Sequence, residues 1–143
     1  MKTYTDIGQS KKLAEILPRE SADLWWDWFG NPLDDVNDGE YSTEPLLHKP
    51  VSNPRNIIPC WSLAALLEQI PSDLHSAELN IEKDDSELLK YGLYYHDTWG
   101  REDDIQTKYY ENLVDACVEM ILKLYEKKTI VIWKTTRKYG TLR

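Results

Sequence analysis

Cys60, His96 and Asp97 are the residues whose types and order could support nucleophilic chemistry. Cys60 lies in the run Ile57-Ile58-Pro59-Cys60-Trp61-Ser62-Leu63-Ala64-Ala65-Leu66-Leu67. That run predicts a short buried helix over 61–70, capped near Cys60 to Ser62 and terminated by Pro71. A thiol at a helix N-terminus ionises more readily than a free one, and thiol enzymes exploit this with a histidine supplied from elsewhere in the fold. His96 and Asp97, at the end of a predicted strand, would be base and orienter in a thiol-dependent hydrolase. Two features weigh against it. Pro59 removes a backbone donor just before the thiol, and a small buried cysteine beside a core tryptophan accounts for the same residues.

Metal and nucleotide chemistry find less support. Aligning Gly39 of Asp34-Asp35-Val36-Asn37-Asp38-Gly39 with the sixth position of a calcium loop puts Val36 third and Pro45 twelfth. Both positions need oxygen ligands, so a solvated acidic turn is the better reading. His48, His75 and His96 stand in three different segments without metal-ligand spacing. Asp84-Asp85 and Glu102-Asp103-Asp104 fall on a predicted turn and loop, where burial rarely separates two carboxyl pKa values. There is no Walker-type loop and no Gly-x-Gly-x-x-Gly, and six glycines leave little to build one from. We expect neither cofactor nor metal.

The elements that must position these groups are legible in outline. Ile7, Leu13, Ala14 and Leu17 recur at helical spacing over 5–17, with Thr5 or Asp6 as N-cap and Pro18 as stop. Residues 21–29 carry aromatics that favour a strand over their second half. Residues 30–58 hold no sustained period and contain Pro32, Pro45, Pro50 and Pro54, which predicts a long irregular segment and a place to look for binding. Residues 77–83 and 88–97 alternate around Asp84-Asp85-Ser86-Glu87 as an antiparallel hairpin, with Leu79 and Ile81 on one face. Leu113, Cys117, Met120, Ile121 and Leu124 form the apolar stripe of a helix over 112–127, and residues 129–136 look like a final strand. The expected fold class is α+β, with three helices packed as one layer on a small, mostly antiparallel sheet in a single domain spanning 1–143.

The 143 residues, 41 % hydrophobic and 29 % charged, suit such a domain, which would bury roughly 70 % of its unfolded surface. No targeting or membrane-spanning segment is visible, and two cysteines are too few for a disulfide framework, so a cytoplasmic, reduced protein is expected. The net charge of −8 conceals an asymmetry. Lys127, Lys128, Lys134, Arg137, Lys138 and Arg143 make the C-terminal tail basic, with no acid among residues 127–143, whereas 11 bases and 25 acids leave the preceding 126 residues at −14. Phosphate binding needs clustered cations, so the acidic body argues against a nucleic-acid groove before residue 127. The basic tail is expected to lie on that body, and nucleic acid is a candidate partner only through Lys134, Arg137, Lys138 and Arg143. Carboxylates gathered in one stripe would instead suggest an acidic DNA-mimic decoy.

Six tryptophans and nine tyrosines against one phenylalanine exceed what a core of this size requires. Such side chains serve cores and interfaces alike. Trp61, with Trp26 or Trp28, is expected in the core; Trp25, Trp99 and Trp133 are the candidate contact residues.

Ile58-Pro59-Cys60-Trp61-Ser62-Leu63-Ala64-Ala65-Leu66-Leu67 with the following Ile70-Pro71 belongs to a wider pattern. Ser10-Lys11-Lys12-Leu13 followed by Ala22-Asp23, Tyr94-Tyr95-His96-Asp97, and Asp115-Ala116-Cys117-Val118-Glu119-Met120-Ile121-Leu122-Lys123-Leu124 complete it. Across residues 5–127 the chain resembles a group of short uncharacterised bacterial proteins often associated with bacteriophages and mobile elements; 129–143 depart from that pattern. The resemblance implies a phage or mobile-element context and brings no established activity and no site residues with it. The leading expectation is a non-catalytic module that binds a protein partner.

Overall fold

A computed structural model describes residues 2–27, 41–50, 57–74, 77–84, 88–96 and 105–127. Helix α1 is Ile7–Ala14, opened by a reciprocal cap in which Asp6 accepts from the Gln9 N–H and the Gln9 side chain accepts from the Asp6 N–H. A turn carries the chain to Leu17, and a 3₁₀ turn over Arg19–Ser21 follows Pro18. Helix α2 is Leu63–Gln69 and α3 is Leu113–Glu126. Asn112 caps α3 by accepting from the Asp115 N–H, and the helix buries Val114, Cys117, Met120, Ile121 and Leu124 on the expected side.

The strands form two separate antiparallel sheets where one was expected. In the first, β1 (Leu24–Asp27) pairs with β2 (Ile57–Cys60). In the second, β4 (Ala77–Lys83) lies between β5 (Tyr91–His96) and a two-residue strand, β3 (Asp73–Leu74). The hairpin of β4 and β5 is antiparallel as predicted, Leu79 facing Tyr95 and Ile81 facing Leu93, although its second strand starts at Tyr91 and not at 88.

β2 corrects two expectations. The irregular segment ends before Ile57, and α2 begins at Leu63 with Ser62 as its cap, so Pro59 and Cys60 belong to a strand and not to a helix start. The proline fits for a specific reason. It lies opposite Trp25, whose N–H and C=O both bond to Leu46 on the other edge of β1. Trp25 therefore asks nothing of Pro59, which occupies a position where a missing N–H is harmless.

The core draws on all three helices and on β5, and Trp61 is its largest fully buried side chain. Its indole Nε1 donates to Ser21 Oγ at 3.0 Å, so the ring is buried without stranding its polar edge. Trp26 is buried as well, edge-on to Tyr4 at 5.8 Å. Trp28, Phe29, the acidic run 34–38, Trp99 and the predicted strand 129–136 lie outside the described residues. No helix among the described residues is long and apolar enough to cross a membrane. Replacing Trp61 by alanine should cost about 3–5 kcal/mol of unfolding free energy in a urea titration; a midpoint within error of wild type would show that the ring does not anchor the core.

Candidate interaction surface

Cys60 sits at the end of β2 with no exposure. Its sulfur donates to the Thr5 carbonyl at 3.4 Å and accepts from Thr5 Oγ1 at 3.5 Å. Thr5 Oγ1 also accepts from the Trp61 N–H at 3.2 Å and lies 2.8 Å from Ser10 Oγ, which accepts from Trp26 Nε1. One assignment of protons satisfies every hydroxyl: Trp26 donates to Ser10, Ser10 to Thr5, and Thr5 to the sulfur. Burial pushes the Cys60 thiol up from its ordinary pKa, the reverse of what nucleophile activation requires. His96 is exposed on β5 opposite Glu78, and none of the hydrogen bonds to Cys60 involves it. Asp97 lies outside the described residues. Cys117 is buried in α3, its pKa pushed up to about 12 by desolvation.

A surface groove of about 360 Å³ runs between α1 and α3, and sequence reasoning missed it. Its polar groups answer one another. Lys2 Nζ lies 2.8 Å from Asp115 and 3.1 Å from Asp6, and Gln9 and Asn112 also donate to the Asp115 carboxylate. Burial works against the Asp115 charge, but the hydrogen bonds from Lys2, Gln9 and Asn112 outweigh it and hold the carboxyl below its ordinary pKa. The arrangement clamps the N-terminal segment to α3. Among the described residues no group of three or more His, Cys, Asp or Glu could hold a metal ion.

The second sheet carries an outer face with exposed polar side chains. Alternation sends Leu79, Leu93 and Tyr95 inward to the core and turns Glu78, Asn80, Glu82, Tyr94 and His96 outward. Tyr109, from the segment that runs beside β5, lays its ring over Gly92: a Cβ there would stand 3.2 Å from Cε1 of the ring. The Tyr109 hydroxyl donates to Glu82, and that bond is the first cause of its raised pKa. The ring remains 39 % exposed. Leu88 (78 % exposed) and Leu89 (50 %) stand at the closing end of the hairpin, and Ile81, on the opposite face with Leu93, is also 50 % exposed. Of the tryptophans proposed for contact, Trp25 is half-buried on β1, whereas Trp99 and Trp133 lie outside the described residues, as do Lys134, Arg137, Lys138 and Arg143. The strand period announced the outward Glu and Tyr residues; nothing in the sequence pointed to Tyr109 covering Gly92.

No family model matches the chain, and no curated protein or solved structure gives a significant match to it.

Two measurements follow from this geometry. With a thiol-reactive probe at neutral pH, both cysteines should react at least roughly tenfold more slowly in the folded protein than in urea; fast labelling of Cys60 would revive it as a nucleophile. The depressed Asp115 pKa stabilises the fold above the ordinary carboxyl range, and that contribution disappears as pH falls through the folded-state value. Lys2→Met should therefore flatten the loss of stability between neutral and strongly acidic pH, and an unchanged pH profile would remove the clamp.

Proposed function

We propose that this chain is a non-catalytic protein-interaction module of phage or mobile-element origin, acting in the cytoplasm through the outer face of the β3–β4–β5 sheet. The observation that carries the reading is Tyr109, an aromatic ring held over a glycine on a solvent-facing sheet and fixed there by Glu82. A tyrosine with one face packed and the other open loses little freedom on binding, which is the economy that contact residues exploit. Tyr94 lies beside it on the same face, and Leu88 and Leu89 are exposed at the closing end of the hairpin. Large exposed apolar side chains gathered at one end of an element are a mark of contact surfaces. The motif resemblance supports the genomic context.

The thiol-hydrolase alternative finds no comparable support, because burial suppresses the Cys60 thiolate. The decoy alternative needs a carboxylate stripe. Asp6 and Asp115 are tied to Lys2 in the groove, and the carboxylates that do share a face, Glu78 and Glu82, share it with Tyr94 and Tyr109, which a phosphate mimic does not call for.

Affinity capture from cells that express the protein tests the module. The Tyr94→Ala/Tyr109→Ala variant should lose the proteins recovered by wild type, while Tyr125→Ala, an exposed tyrosine on α3, retains them. Recovery of the same set by both variants would end the proposal.

A further inference from the structure

We propose that the partner presents a lysine- or arginine-bearing segment to the outer face of the β3–β4–β5 sheet; this rests on the interaction-module reading above. The register places Asp73, Glu78 and His96 in one row across the three strands, with Glu82 farther along β4 on the same face. Asp84 and Lys90 close the hairpin at the end of that face, and Lys90 is the one cation the alternation brings to it on the described residues of the hairpin. Asp73, Glu78 and Glu82 make no ion pair among the described residues, and Glu82 keeps Oε1 available because Tyr109 occupies Oε2. Asp73, Glu78 and Glu82, unpaired among the described residues, outnumber Lys90 on this face, and such an excess of one sign favours a partner of the opposite sign.

The aromatic groups narrow the choice from any cation to a side chain with an extended apolar stem. Tyr109 is packed on Gly92 from below and open above, with Tyr94 two residues farther along β5. An ammonium or guanidinium placed over such a ring is attracted to its π-face, while the methylene stem covers apolar area. The Glu82 carboxylate, already fixed at the ring's hydroxyl, then stands beside the cation and can accept from it.

The test uses the full chain and a short fluorescein-labelled peptide alternating lysine and threonine, with a second peptide carrying glutamine in place of lysine. Fluorescence anisotropy at physiological ionic strength should show the lysine peptide binding roughly tenfold more tightly than the glutamine peptide. Glu78→Gln/Glu82→Gln should weaken it by roughly tenfold at unchanged Tm, and Tyr109→Ala should weaken it further. Glu20→Gln/Glu126→Gln, which removes the same charge from other exposed positions, should leave it intact. Equal binding of the two peptides, or equal loss in the two charge variants, would overturn the inference, the first indicating stacking without charge and the second a diffuse field. If the lysine peptide fails to bind while Tyr94→Ala/Tyr109→Ala still loses its cellular partner, the charge assignment falls and the module reading stands.

Discussion

Thr5 is a small, fully buried residue, yet three parts of the chain meet at its hydroxyl and backbone. Its N–H donates to the Trp61 carbonyl, its carbonyl accepts from Cys60, and its hydroxyl joins Ser10, Trp61 and Cys60. Burying these groups is affordable only because each has a partner; leaving one unsatisfied costs about 1–3 kcal/mol. The arrangement fixes where β2 ends, where α2 begins and how α1 lies on both. The tryptophans depend on it too, since Trp26 reaches Ser10 and Trp61 begins the turn into α2.

From that anchor the molecule extends in two directions with different character. Toward α3 the interior is apolar and closed, with buried cysteines serving as small hydrophobes. Toward the second sheet Leu93 and Tyr95 on the inner face are buried, while among the described residues Glu78, Glu82 and His96 on the outer face are exposed. Antiparallel sheets tolerate such one-sided burial.

Elements carried by a local period were legible in the sequence. The α3 stripe and the β4–β5 alternation each repeat over enough residues to declare their periodicity, and Asp6 with Gln9 fits a known cap. β2 was illegible because its four residues run directly into a helix and include a proline, whose tolerance depends on what Trp25 does on its far edge. Separation into two sheets is likewise a matter of long-range pairing. The face carrying Glu78, Glu82 and Tyr94 could be read from alternation, but the position of Tyr109 depends on the path of a segment that follows β5 by more than ten residues. The placement of Cys60 at a helix start changed for a related reason: spacing gave its distance from the helix and concealed the strand it ends, while its burial beside Trp61 was the expected alternative.

Gly92 and Tyr109 also constrain how this surface can diverge. A Cβ at 92 would stand 3.2 Å from the ring, so an alanine there asks the tyrosine to give slightly and a larger residue asks it to move away. The place of the ring is thus coupled to the absence of a side chain beneath it. Among related chains that keep the ring in this place, glycine at 92 should accompany it.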